Sequence, residues 1–167
     1  MNFTDRLLLD TADAFGDDNG MCNDVRPTAD VFSVLSSDNT NRTSDAFIAY
    51  CFHSVEGFSK FGTYRGNSQD DGGFVYCGFT PSLIIVKSIT TSANWWMFDS
   101  ERTGALGFRA DTLQAEDSGI SYNGKKIVDI LSNGFKFRNS NYGDVNSTEP
   151  RLYMAWAKTP FKYANAR

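Results

Sequence analysis

The chain has 167 residues, with 16 Lys and Arg against 20 Asp and Glu, for a formal net charge of −4. A hydrophobic share of 41% supports an ordinary core and excludes a disordered tail, and the acidic balance argues against a nucleic-acid binder, which presents a basic face. No apolar run approaches the roughly 18 residues needed to cross a bilayer, so membrane insertion is not expected.

In chain order, "MNFTDRLLLDTADAFGDD" offers one strand candidate, "RLLL", and then an acidic loop. It lacks the basic start and longer apolar stretch of a secretory signal, so folding in the cytoplasm is expected. "VFSV" (31–34) alternates, and "FIAYCF" (47–52), "FVYCGF" (74–79) and "LIIVKSI" (83–89) are β-rich runs. "NWWMFD" (94–99), "KIVDIL" (126–131), "FKFR" (135–138) and "LYMAWA" (152–157) complete the set. Polar loops such as "RGNSQDDGG", "SYNGKK" and "NSNYGDVNSTEP" separate them. No long segment sustains helical spacing without a breaker. Short strands with frequent turn signals predict an all-β fold, a jelly-roll-like antiparallel β-sandwich. The sharpest local signal is Asn133-Gly134, because Asn-Gly accepts the positive φ angles of a tight hairpin.

The segments around Ala49 and Ala155 resemble each other. In each, an alternating strand around Phe (Phe32, Phe135) leads through a polar loop with Asn-x-Thr to an apolar strand with Ala-aromatic at its centre. Offsets of 103 at Phe, 105 at Asn41/Asn146 and 106 at Ala drift only in loops, where insertions are tolerated. This predicts an internal strand–loop–strand repeat. Residues 1–167 are then one sandwich domain, with 1–62 an incomplete first unit and 63–167 a complete second unit. Ala49 and Ala155 are expected in equivalent packed positions.

The chemistry-bearing residues are sparse. There is one histidine, His53, and no G-x-S-x-G, C-x-x-C, H-E-x-x-H or phosphate-binding loop, so no catalytic residue, metal ligand or cofactor is expected. Acid pairs stand at Asp17-Asp18 and Asp70-Asp71. Such pairs can hold Ca²⁺, but neither fits the twelve-residue calcium loop, and turn formation explains Asp and Gly without a metal. Asn41-Arg42-Thr43 and Asn146-Ser147-Thr148 fit the glycosylation sequon, and without a secretory signal they read as turns. Tyr122 and Tyr142 are loop aromatics. Either can stack on a sugar ring, with Asp70 and Asp71 supplying hydrogen bonds, or fold back as a lid on the core. Cys51 and Cys77 lie in apolar runs and are expected in the core, and Cys22 is expected to be the reactive thiol.

Strands "LIIV" and "NWWMF" are apolar on both faces. Either loops cover the second face, or it meets another subunit. Trp96, together with Phe161 and Tyr163 of the terminal "TPFKYANAR", makes the candidate subunit contact.

"AYCFHSVEGFSKFGTYRGN", "FVYCGFTPSLIIVK", "NWWMFDSER", "DILSNGFKFR" and "YMAWAKTPFKYANAR" resemble a domain at the C-terminal end of tail-fibre and other structural proteins of tailed bacteriophages, many of them marine. The resemblance covers the chain from about Val31. It implies a non-enzymatic virion protein, assembled in the host cytoplasm and most simply a tail-fibre or adhesin module that binds the host surface. A head decoration or tail adaptor protein touching only other virion proteins is the alternative, and a depolymerase of surface polysaccharide is a third. Fibre-type relatives are typically homotrimers, so the implied partners are other virion proteins, further copies of the chain, and a host surface glycan or protein.

Overall fold

A computed structural model of the chain describes residues 5–18, 20–21, 25–101, 112–118 and 127–160. Two compact units emerge: Met1–Leu8 with Phe15–Phe52, and Leu9–Ala14 with His53–Arg167. The main division along the chain falls at Phe52/His53.

The first unit holds one short antiparallel pair, β1 (Asp5–Arg6) and β2 (Gly16–Asp17), flanked by an Arg6–Asp18 ion pair. Among its described residues none is buried. "VFSV" and "FIAYCF" join no ladder here. Ala49 is exposed, whereas Ala155 is fully buried, so the two alanines do not occupy equivalent positions. Cys51 is likewise exposed and not a core residue, whereas Cys77 is buried, its thiol pKa pushed up to about 11 by that burial.

The second unit is an antiparallel sandwich. Its strands are β3 (Ser59–Arg65), β4 (Phe74–Tyr76), β5 (Pro81–Ser88), β6 (Trp96–Asp99), β7 (Leu113–Gln114), β8 (Val128–Leu131), β9 (Gly134–Phe137) and β10 (Pro150–Ala157). One helical turn, α1 (Gly143–Asn146), interrupts the last loop. One sheet has the order β3-β10-β5-β6-β7 and the other β4-β9-β8. The order follows from residue type: β5 and β10 are the longest apolar runs and take the inner places, while the more polar β3 takes an edge.

Alternation decides which side chains meet between the sheets. Ile84, Val86, Trp96, Phe98, Tyr153 and Ala155 come from one sheet, and Val75, Val128, Phe135 and Phe137 from the other. Tyr64 stacks on Phe137 at 5.4 Å, and Phe135 meets Tyr153 edge-on at 5.6 Å. Each such buried ring contributes about 1.5–3 kcal/mol from its area alone. Leu83, Ile85 and Met97, on the second face of the two-faced strands, are only half-buried.

The β8–β9 hairpin forms as expected, but the loop is Ser132-Asn133, because Leu131 pairs with Gly134. Positive φ angles among the described residues lie at Ser44, Ser68, Gly57 and Gly78, and not at Asn133. Gly134 is needed for a different reason. A Cβ there would stand 2.1 Å from the Val75 carbonyl oxygen, so glycine lets β4 approach β9.

Candidate functional site

Two polar loops meet at one end of the sandwich: residues 65–73, from the last residue of β3 to β4, and residues 138–149, between β9 and β10. Their hub is Asn146, the last residue of α1, which is buried. Its Nδ2 donates to the carbonyls of Gln69 (2.7 Å) and Asn139 (3.3 Å), and its Oδ1 accepts the Asn67 N–H at 3.3 Å. The backbones interlock as well. Gly66 N–H donates to the Ser147 carbonyl at 2.8 Å, and Ser68 N–H to the Asn146 carbonyl at 2.7 Å. This closeness requires glycine: a Cβ on Gly66 would lie 2.3 Å from the Asn146 carbonyl carbon, and one on Gly72 2.6 Å from the Phe137 oxygen.

Arg151 fixes the other side of α1. It is 2% exposed, and its guanidinium donates to the carbonyls of Asp144 (2.6 Å), Gly143 (2.7 Å) and Pro150 (3.2 Å) and to Ser147 Oγ. Burial lowers its pKa, yet the carbonyls satisfy the fork that burial strips of water. Tyr64 adds its hydroxyl, donating to the Val145 carbonyl at 2.6 Å, and burial holds its pKa well above the ordinary tyrosine value.

The two expected acids are brought to this end and are engaged there. Asp70 accepts the Ser140 N–H at 2.8 Å, which lowers its pKa. Asp71 pairs with Lys136 at 2.7 Å and with Arg138, and the Lys136 hydrogen bond is the larger cause of its lowered pKa. Arg138 continues to Asp129 through Nε at 2.6 Å, and this contact raises the arginine pKa. Exposed pairs of this kind contribute little stability each. Their effect is positional: they tether the tip of the 65–73 loop to the outer surface of β8 and β9.

Tyr142 lies half-buried against the core, with its ring edge-on to Trp96 at 5.7 Å. Trp96, expected at a subunit contact, is buried within its own sandwich at 5% exposure, and its indole N–H donates to Asp144 at 3.2 Å. Tyr122, Phe161, Tyr163 and Cys22 lie outside the described residues. His53 is exposed, with Nδ1 3.1 Å from the Ser54 carbonyl. Asp18 pairs with Arg6 and accepts the Gly20 N–H, an Asx-type turn. Among the described residues no group of three or more His, Cys, Asp or Glu is placed to hold a metal ion.

The sequence reading missed Asn146, Arg138 and Arg151. Asn146 stood out only as part of a sequon and as a marker of the repeat, and nothing local marks it as a hub, because its partners lie up to 79 residues away. The arrangement can present a held polar surface. Asn67, Ser68, Gln69, Asp70, Ser140 and Asn141 are exposed on a base that the Asn146 network holds in place. Acids kept below their ordinary pKa are ionised acceptors near neutral pH and are poorly suited to act as general acids.

Residues 1–160 match the model of a family described as "Domain of unknown function (DUF7483)". No curated protein and no solved structure matches the chain.

Proposed function

The chain belongs to the DUF7483 family, whose description assigns no function, and on the resemblance of its sequence blocks to phage structural proteins we propose that it is a non-enzymatic structural protein of a bacteriophage particle, a tail-fibre or adhesin module with a jelly-roll-like sandwich. In this reading the loop end of the sandwich contacts the host surface, and the ligand is a surface glycan or protein with exposed hydroxyl and amide groups. The observation that carries the proposal is the Asn146-centred interlock of loops 65–73 and 138–149. Pre-ordered loops reduce the entropy lost on binding. The ionised Asp70 and Asp71 favour recognition over acid catalysis.

The test is binding of the fluorescently labelled chain to a glycan array and to whole bacterial cells. Gln69→Ala and Asn141→Ala, which leave the network intact, should remove binding without changing the fold. Reducing ends released from a surface polysaccharide, and lost on changing one Asp or Glu, would overturn the non-enzymatic reading. Labelling of intact phage particles by electron microscopy places the chain: signal on the head would favour the decoration-protein reading. That second reading draws support from the apolar side chains exposed in residues 31–52.

A further inference from the structure

We infer that the segment 46–52, "AFIAYCF", is the strand through which copies of this chain associate. The inference rests on the virion-protein reading above and adds to it the surface through which copies meet.

The segment has the composition of a paired strand and lacks a ladder. Phe47, Ile48, Tyr50 and Phe52 are 45%, 80%, 78% and 62% exposed, and residues 46–52 carry no charge. Ile48, Tyr50 and Phe52 share one face of an extended chain, and Phe47, Ala49 and Cys51 share the other. A run apolar on both faces is the pattern of a strand covered on both sides. The same chain provides the comparison. "RLYMAWA", which it resembles, forms most of β10, paired with β3 on one side and β5 on the other. There Arg151, Tyr153 and Ala155 are buried, and Leu152, Met154 and Trp156 are half-buried. The β10 run reaches the environment its pattern calls for, and the 46–52 run does not.

Unit composition points the same way. Among the described residues, the exposed large apolar side chains of the sandwich unit are Leu9, Phe58, Phe74 and Tyr76, whereas the first unit exposes nine. Among its described residues the first unit buries none that would offset this exposure. The area supports association. Taking about 200 Å² per large side chain, the four exposed residues of the segment present on the order of 500 Å², a large part of the roughly 800 Å² per partner that a stable complex buries. The occupant is a second copy, because edge-to-edge pairing of identical uncharged strands satisfies both backbones and brings no like charges together within the strand.

Cys51, exposed within the strand, reports on the pairing. The full chain carrying Cys22→Ser would be followed by native mass spectrometry across a dilution series, with iodoacetamide labelling of Cys51 mapped by peptide. An oligomer in which Cys51 reacts about tenfold more slowly than in the diluted chain is expected, since protection reports the closed fraction. Ile48→Lys with Tyr50→Lys should abolish the oligomer while the sandwich unfolds at an unchanged temperature. Three results would overturn the inference: a monomer at micromolar concentration, an oligomer that survives the double substitution, or a monomer whose Cys51 is protected at every dilution. The last would mean that the segment is covered within its own chain. An oligomer that passes these tests but binds no cell or glycan leaves this inference standing and removes the adhesin reading.

Discussion

The Lys87 ammonium donates to the backbone carbonyl of Ala12 at 2.9 Å and so clips the 9–14 segment onto the outer face of β5. The same Nζ reaches the Ala93 carbonyl and lies 5.8 Å from the centre of the Trp95 ring. Lys87 is fully buried, although it points away from the space between the sheets. Burial is the main cause of its lowered pKa, and the nearby Glu116, Asp13 and Asp144 oppose that effect. Lys87→Met keeps the stem and leaves both carbonyls without this donor. It should cost about 1–3 kcal/mol, read from the urea midpoint at unchanged slope. An unchanged midpoint would mean that the clip contributes nothing.

Glycine is required at two contacts and dispensable at a third. Gly66→Ala drives a Cβ into the Asn146 backbone, and Gly134→Ala drives one into the Val75 carbonyl. Each should cost about 1–3 kcal/mol or more, because backbone cannot give way as a side-chain end can. Gly143→Ala meets nothing within 4 Å and should be neutral or stabilise by about 0.4–1 kcal/mol. Thermal unfolding of the three variants side by side checks the contrast.

Asn146 is tested by replacing its amide. Asn146→Asp loses the two donated hydrogen bonds and sets a carboxylate against the Gln69 and Asn139 carbonyls. A loss of about 2–3 kcal/mol is expected near neutral pH, and it should shrink in acid, where a protonated Asp donates again. Stability equal to the parent at pH 7 would show that the hub is replaceable.

The pH dependence has two limbs of opposite origin. The folded pKa values of Asp70 and Asp71 lie below the unfolded ones, so on acidification the unfolded chain takes up protons first. Their contribution is present above about pH 4 and is lost as pH falls through the folded values. Asp70→Asn with Asp71→Asn should flatten that limb. Tyr64 is the reverse case: its pKa is raised in the fold, so above about pH 10 the unfolded chain ionises first and stability falls. Tyr64→Phe should lose about 1 kcal/mol below that pH and show a shallower alkaline limb. Denaturant midpoints taken from pH 2 to 11 separate the two.

The β content and six of the sandwich strands were legible in the sequence, because alternation and β-branched or aromatic runs are local properties. The runs at 74–79, 83–89, 94–99, 126–131, 135–138 and 152–157 all contain strands. What remained hidden depends on distant partners. "SKFGTYR" is polar and contains Gly62, yet it forms β3, because β10 pairs with it and the Tyr153 ring lies over Gly62. Conversely, "VFSV" and "FIAYCF" carry strong strand propensity and form no strand, since propensity cannot supply a neighbour. The acids at 70 and 71 were visible as a pair, but that one binds Ser140 and the other Lys136 and Arg138 follows only from the meeting of two loops. Residue order alone determined which side chains could be buried. The tertiary structure decided which backbones found partners, because a ladder hydrogen bond forms only where a second strand lies within about 5 Å.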